Sequence, residues 1–272
     1  MRLRIDLAYD GGPFRGFAVQ RGRDDLATVQ GTLEGALSRC WQDDVASFCA
    51  GRTDAGVHAL AQVVHVDADP DNRRVQRAVA DLERFRLALD KLTGDAISIW
   101  RVEVVDAGFH ARFSATERRY RYRLTDQAAV DPLERHRVWQ LPRTSLSVPR
   151  MRAGARHLLG EHDFDSFCRQ AAGGHNRRTL RALTIARRDG VIHARLRGPA
   201  FCHQMVRSII GCLVAVGDGR REPDWIGEVL AARDRTAAVA IAPPHGLVLE
   251  GVSFGRRYPA APRPEIRRAL GL

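Results

Sequence analysis

The sequence has no long hydrophobic run. No apolar stretch reaches the length needed to span a bilayer. Residues 1–6 alternate in polarity where a signal peptide would have an apolar core. We therefore expect a cytoplasmic protein with no membrane partner.

Cysteine is scarce, and its placement argues against several kinds of site. The five cysteines are an odd number, lie far apart and include no CxxC pair. This pattern argues against a zinc site and a disulfide framework, and it fits a reducing cytoplasm. The histidines show no metal-ligand spacing, and the chain has no Walker loop, no GxGxxG and no HExxH motif. We expect no metal ion.

Lysine is almost absent, since Lys91 is the only one, yet the chain is strongly basic. Its 43 Lys and Arg residues exceed its 32 Asp and Glu residues and give a formal net charge of +11. A codon bias explains arginine in place of lysine but not the excess of basic over acidic residues. The charge predicts a polyanionic partner, nucleic acid first.

The 272 residues, 44% of them hydrophobic, suffice for one large domain or two smaller ones. Residues 2–9 alternate in polarity as a half-buried strand, and Thr28 suits the N-cap of an amphipathic helix. Further strands are expected at 45–50, 62–66 and 96–105, with a helix at 72–89. The resulting β-α-β-β-α-β order is the split βαβ, or ferredoxin-like, arrangement.

The second half of the chain repeats that order. Its expected strands are 119–124, 180–187, 191–197 and 247–254, its helices are 149–159 and 201–216, and a shorter helix is inserted at 223–231. Asp189-Gly190 is a strong signal for a two-residue hairpin turn. We predict an α+β protein in which two ferredoxin-like (βαββαβ) halves, residues 1–107 and 108–272, form a mixed or antiparallel sheet with a central cleft.

The turn at residues 51–58, with the sequence GRTDAGVH, breaks the regularity of this scaffold. It places Arg52 and Asp54 on a glycine-flanked turn directly before His58, whereas its counterpart in the second half is only Asp189-Gly190. An Asp near Gly commonly stabilises its own turn. Irregular loops on a regular scaffold are also where functional residues concentrate, so Asp54 is either a turn residue or a reacting carboxylate.

Two other segments suit contact with nucleic acid. Aromatic residues alternate with arginines at 109–115 and 119–123, and such rings can stack on bases while guanidinium groups meet phosphates. Taken alone, an ordinary strand with buried tyrosines and solvated arginines explains the second segment slightly better. Arg207 lies among apolar neighbours in the 201–216 helix, where it either extends its charge to solvent or pairs with a carboxylate in the cleft.

With these segments in order, the chain resembles the tRNA pseudouridine synthase A family over nearly its whole length. The matching segments are AYDG at 8–11, TVQ at 28–30, CAGRTDAGVHA at 49–59, QVVH at 62–65, FHARFSA at 109–115, RYRY at 119–122, Phe201 and His203 with MVR at 205–207, and GL at 246–247. The resemblance implies the pseudouridine synthase fold and an isomerase that converts uridine to pseudouridine at tRNA positions 38–40, in the anticodon stem-loop. It also implies a homodimer that needs neither cofactor nor metal.

The resemblance carries roles onto five residues. Asp54 matches the catalytic aspartate, which we expect to act as the nucleophile. Arg52 matches the arginine that helps to occupy the space left by the flipped base, and Tyr120 matches the tyrosine that stacks on the target uracil. Arg207 resembles the basic partner of the carboxylate, and Leu247 resembles an apolar residue that lines the pocket.

Two segments depart from the family pattern. Phe17 and Ala18 stand where Trp-Gln is usual, and residues 90–93 replace the usual Asn-x-Leu-Pro. We expect these departures to affect RNA contact or dimer packing and not the reaction.

Two other classes of function are consistent with parts of the sequence. A non-catalytic RNA-binding module or chaperone of ferredoxin-like fold would make Asp54 dispensable, but the chain lacks the aromatic surface motif of an RNA-recognition module. A small-molecule enzyme could use the glycine-rich turn as an anion site, but the arginine-tyrosine strand and the net charge argue against it.

Overall fold

The computed structural model describes residues 1–20, 22–23, 25–169, 175–238, 241–256 and 258. The N-terminal half contains four strands and three helices. The strands are β1 (Arg2–Tyr9), β2 (Ser47–Cys49), β3 (His58–Asp67) and β4 (Ile97–Val105), and the helices are α1 (Val29–Trp41), α2 (Arg73–Ala80) and α3 (Leu82–Thr93).

The C-terminal half has the same succession of elements with insertions. Its strands are β5 (Glu117–Thr125), β6 (Trp139–Gln140), β7 (Gly160–Asp163), β8 (Arg177–Leu180), β9 (Ala182–Arg188), β10 (Val191–Gly198) and β11 (Leu247–Ser253). Its helices are α4 (Val148–Ala155), α5 (Met205–Gly217) and α6 (Trp225–Ala232). Strands β7 and β8 form a separate two-stranded sheet.

One large sheet runs through both halves in the order β4-β1-β3-β11-β5-β10-β9, with β2 on β3 and β6 on β5. Most neighbours are antiparallel, but β11 runs parallel to β3, with Val248 opposite His58 and Leu249 opposite Ala59. This pairing joins the halves at the start of β3. The predicted α+β class and mixed sheet are confirmed, whereas the division into units at residues 107 and 108 remains a prediction.

The core follows the predicted apolar patterns. Leu3, Ile5 and Leu7 of β1 are fully buried. The Thr28 side chain accepts a hydrogen bond from the Gly31 backbone, so it caps α1 as expected. Within the described residues, no helix combines the length and the apolar character needed to cross a bilayer.

Three helix predictions were wrong in extent. The stretch predicted as one helix at 72–89 is two helices, because Asp81 leaves the helical conformation and its side chain caps α3 through the Arg84 backbone. The predicted 149–159 helix ends at Ala155 and continues as a 3₁₀ turn. The helix predicted from residue 201 begins at Met205, because Gln204 has a φ of 67°, in the left-handed region.

Candidate active site

The Asp54 loop, residues 50–57, connects β2 to β3 at the point where the two halves of the sheet meet. Close backbone packing fixes its path. Gly16 has a φ of 102°, and a Cβ there would lie 3.1 Å from the Thr53 carbonyl oxygen. A Cβ at Gly11 would clash with the Val57 carbonyl. The glycine-rich segment after β1 therefore supports the Asp54 loop from behind.

Buried polar side chains hold the start of this loop. Gln62 Nε2 donates a hydrogen bond to the Gly51 carbonyl oxygen at 2.7 Å, and the Tyr9 hydroxyl lies 2.8 Å from the Thr53 hydroxyl. Arg118 donates from Nε and Nη2 to the Ala50 carbonyl oxygen at 3.1 and 2.6 Å. Burial lowers the pKa of Arg118. The loop is thus anchored from β1, β3 and β5 together.

The Asp54 carboxylate contacts a different group through each oxygen. Oδ2 accepts a hydrogen bond from Arg207 Nη1 at 2.7 Å, and Oδ1 lies 3.1 Å from His203 Nε2. The two partners differ in exposure, because the Arg207 side chain is 15% exposed and the His203 side chain is 50% exposed. One oxygen therefore contacts a largely buried arginine and the other a half-exposed imidazole.

Arg207 is itself fixed in place. It lies in the first turn of α5, a helix whose residues are otherwise almost all buried. Its Nε donates a hydrogen bond to the Ala242 carbonyl oxygen at 2.8 Å, which leaves Nη1 directed at Asp54. A charge-assisted hydrogen bond at this distance fixes the orientation of the carboxylate.

Tyr120 and Leu247 form an apolar wall of the site. Both line the same cleft as Asp54 and are 7% and 6% exposed. The Tyr120 ring packs edge-on against Phe201, with centroids 5.0 Å apart. Burial raises the pKa of Tyr120 to about 12, so its hydroxyl is neutral at physiological pH.

Arg52 is exposed at the mouth of the cleft. Within the part of the chain that the structure describes, no hydrogen bond or salt bridge engages its guanidinium group. The group is free to meet an incoming anion or to fill a space next to the carboxylate.

The cleft has a volume of about 1170 Å³. Among the described residues, Asp54 is the only acidic residue in its lining. The arginines of the lining are Arg15, Arg52, Arg112, Arg118, Arg169, Arg178 and Arg207. The cleft therefore suits a polyanion with one reacting centre.

All five residues predicted for the site, Asp54, Arg52, Tyr120, Arg207 and Leu247, line this one cleft. Their individual chemical roles remain predictions. His58, which the sequence placed beside Asp54, does not line the cleft. Its Nδ1 accepts a hydrogen bond from the Gly11 backbone at 3.1 Å, and burial lowers its pKa.

Sequence reasoning missed two residues of the site. His203 belongs to a segment matched to the family, but no role was assigned to it. Arg118 directly precedes the Arg-Tyr strand, where alternation suggested solvated arginines. Its burial and its hydrogen bonds to the Ala50 and Arg112 carbonyls show that it links the strand to the Asp54 loop.

One residue from each of the two departing segments, Phe17 and Asp90, makes a structural contact. Phe17 is buried, with its ring 6.3 Å from that of Tyr9, and its backbone N–H donates to the Thr53 carbonyl. Asp90 accepts a hydrogen bond from the Ile99 backbone at 2.6 Å. Phe17 thus supports the Asp54 loop, and Asp90 ties α3 to β4.

The cysteine expectation needs correction. Cys168 and Cys202 lie 34 positions apart in sequence, yet they form a disulfide pair, which the spacing of the five cysteines did not reveal. The segment after α4 and the segment before α5 bring the two together. Within the described residues, no group of three or more His, Cys, Asp or Glu side chains could hold a metal ion.

Comparison with known proteins gives consistent matches. A family model described as tRNA pseudouridine synthase matches residues 155–255. A protein of Frankia casuarinae named tRNA pseudouridine synthase A is 44% identical over 273 residues, covering 99% of this chain and 95% of the relative. Proteins of the same name from Streptomyces avermitilis and Stenotrophomonas maltophilia are 45% and 42% identical, covering 93% and 92% of this chain and 88% and 94% of the relatives.

Proposed function

The chain belongs to the tRNA pseudouridine synthase A family and is a tRNA pseudouridine synthase, and we propose that its targets are the uridines at positions 38–40 of the anticodon stem-loop. One observation carries the assignment of the site. Asp54, the one carboxylate among the described residues of the cleft lining, lies in an arginine-lined cleft with its Oδ2 held by Arg207 and its Oδ1 beside the half-exposed His203.

The reaction breaks the bond between C1′ of the ribose and N1 of the uracil, rotates the base and joins C1′ to C5. The hydrogen on C5 leaves to solvent, and N1 gains one. No group is added or removed, so the reaction calls for no cofactor. The protein must extract the nucleotide from its stack, hold the detached base and supply one charged group at the reacting centre.

Asp54 is the nucleophile in this proposal. Arg207 holds the carboxylate in one orientation through its hydrogen bond to Oδ2, so that an attacking oxygen is positioned. The oxygen beside His203 is the more accessible of the two, because the His203 side chain is half exposed. Displacement of that imidazole by the incoming nucleotide would free Oδ1 to react.

The other residues act on the flipped nucleotide. Unstacking a base costs a few kcal/mol, and Arg52 offsets part of that cost by entering the vacated space. Tyr120 stacks on the uracil as a neutral ring, and Leu247 closes the apolar side of the pocket. We also propose that the enzyme acts in the cytoplasm as a homodimer.

The position of the target can be tested with unmodified tRNA transcripts that carry tritium at C5 of uridine. Release of tritium reports turnover, and transcripts with cytidine at positions 38, 39 and 40 remove the proposed targets one by one. We expect release to disappear when all three are replaced. Release that persists from the triple replacement would place the target elsewhere in the tRNA. No release from any transcript would contradict catalysis itself and favour a non-catalytic RNA-binding role.

A further inference from the structure

Two of the most exposed large apolar side chains lie at one end of the cleft. Phe48 is 50% exposed and Phe113 is 76% exposed, and both belong to the cleft lining. Phe48 lies on β2, directly before the Asp54 loop, and Phe113 lies on the loop before β5. Neither residue has a role in the proposed reaction.

These two rings are the exposed members of a ring cluster that we call the aromatic ledge, formed by Phe48, His65, His110 and Phe113. The Phe48 and His65 rings are nearly parallel, with centroids 5.0 Å apart and an interplanar angle of 18°. The His110 ring lies 4.6 Å from His65 and 4.4 Å from Phe113. The last two pairs are tilted, by 59° and 38°, so the surface that the ledge offers to solvent consists mainly of the Phe48 and Phe113 rings.

The two imidazoles of the ledge are hydrogen-bonded to the backbone and uncharged. His65 Nδ1 accepts a hydrogen bond from the Ala111 backbone at 3.2 Å, and His110 Nδ1 accepts one from the Arg112 backbone at 3.2 Å. Burial, aided by nearby positive charge, lowers the pKa of His65 to about 4 and also lowers that of His110. Both imidazoles are thus neutral at physiological pH, and they pack against the exposed phenylalanine rings without adding charge; His65 itself is buried.

Positive charge borders the ledge. The Arg112 guanidinium lies 5.6 Å from the centre of the Phe113 ring, and its side chain forms no salt bridge with any described residue. In the cleft that the ledge lines, Asp54 is the one carboxylate that the described residues contribute. An exposed π surface flanked by unpaired arginine charge is complementary to a nucleobase with its phosphate, because every base has a face that stacks.

We infer that the aromatic ledge is a second nucleotide site, on which an unpaired base that neighbours the target uridine in the RNA stacks while Arg112 meets a phosphate. This inference rests on the proposed function, since it assigns the second base to the same RNA. The ledge would fix the strand next to the flipped nucleotide and thereby hold the target over Asp54.

The test separates stacking from apolar contact. Phe113→Leu keeps an apolar side chain but removes the π face, and Phe113→Trp restores it. Because base–aromatic stacking affects binding strongly on alanine substitution, we expect Phe113→Leu to weaken the Kd for an unmodified tRNA transcript by about 5- to 30-fold, with Phe113→Trp close to wild type. Phe48→Leu should act in the same direction. Leu133→Ala, also highly exposed but outside the cleft lining, should change nothing.

Salt dependence provides an independent readout. Phe113→Leu should leave the slope of log Kd against log salt unchanged, whereas Arg112→Gln should reduce it by about one unit. Equal Kd values for wild type and Phe113→Leu would overturn the inference. So would a change of sedimentation coefficient in Phe113→Leu without RNA, because the ledge would then be a contact between protein chains.

Tritium release by the wild-type enzyme keeps this inference distinct from the proposed function. If wild type releases tritium and Phe113→Leu binds tRNA normally, only the ledge assignment fails. If wild type releases none, the proposed function fails. The Kd of Phe113→Leu for the tRNA transcript then still tests whether the ledge binds RNA.

Discussion

The Asp54 loop and the Asp189-Gly190 turn connect equivalent strands in the two halves, and they differ in what the connection does. In the C-terminal half the two strands are joined by two residues with φ angles of 49° and 77°, as a tight hairpin requires. In the N-terminal half the same connection occupies residues 50–57 and extends into the cleft. The comparison indicates that the scaffold needs only a turn here, so the additional residues of the Asp54 loop are present for another purpose.

Each connection is associated with an Asp–Arg pair, and the pairs are built differently. Asp126 receives hydrogen bonds from Arg187 at 2.5 and 2.9 Å and a third from the Leu146 backbone. Asp54 receives one from Arg207, and its other oxygen lies beside the half-exposed His203. Both oxygens of Asp126 thus accept hydrogen bonds, whereas one oxygen of Asp54 has only a half-exposed imidazole beside it.

The largest expected effect is the difference in turnover between variants of Asp54 and of Asp189, one aspartate from each connection. Asp54→Asn keeps the shape of the side chain but removes the nucleophile, so turnover should fall by about 10⁴-fold or more, as with other catalytic nucleophiles. Binding of tRNA should change little. The matched control is Asp189→Asn, because asparagine also tolerates the left-handed conformation. Tritium release at a normal rate from Asp54→Asn would remove the proposed difference between the loops.

The next largest effect is the difference in kcat between variants of Arg207 and of Arg187, the arginines of the two Asp–Arg pairs. Arg207→Gln removes a charge-assisted hydrogen bond to Asp54, and since such bonds contribute about 1.5–3 kcal/mol, kcat should fall by about 10- to 100-fold with little change in the Kd for tRNA. Arg187→Gln should leave kcat unchanged and lower the free energy of unfolding. A fall in kcat from Arg187→Gln equal to that from Arg207→Gln would mean that both pairs act through stability. Single-turnover tritium release and urea unfolding of the same preparations provide both measurements.

A smaller effect compares glycines with the same backbone conformation. Gly56 and Gly190 have φ angles of 78° and 77°, so alanine at either position should cost about 1–2 kcal/mol of stability. At Gly56 the new Cβ would also lie 3.0 Å from Cγ of the rigid Pro244, which forces the Asp54 loop to move. At Gly190 it would meet only the end of the Gln127 side chain, which can rotate. We therefore expect turnover per folded molecule to fall about tenfold in Gly56→Ala and to stay constant in Gly190→Ala. Equal turnover in both variants would contradict a requirement for precise placement of the loop.

Local sequence signals predicted the regular strands and turns of the two halves. Long-range packing determined where some helices end and which residues meet in the cleft. The Asp189-Gly190 hairpin and the alternating β1 strand follow from a few adjacent residues, and they lie where they were expected. Asp81 ends one helix and caps the next. Whether this stretch forms one helix or two depends on how α2 and α3 pack. Asp54 and Arg207 are 153 positions apart. Their pairing followed from resemblance to a family, whereas periodicity alone left Arg207 open between solvent and the cleft.

The smallest expected effect is the pH dependence of the stability that the Asp126–Arg187 pair contributes. The bonds from Arg187 lower the pKa of Asp126 to about 2 from an ordinary value of 3.8. Because the unfolded chain takes up this proton first, the pair stabilises the fold fully above about pH 5, and the contribution is lost as pH falls towards 2. With Arg187 partly exposed, we expect Asp126→Asn to lower the free energy of unfolding by about 1–2 kcal/mol at pH 7. The gap to wild type should shrink between pH 4 and pH 2, when urea unfolding is followed by circular dichroism. Asp189→Asn, which removes no salt bridge within the described residues, gives the baseline. Turnover at pH 7 should be normal in Asp126→Asn, and a loss of turnover there would show that this carboxylate also serves the cleft.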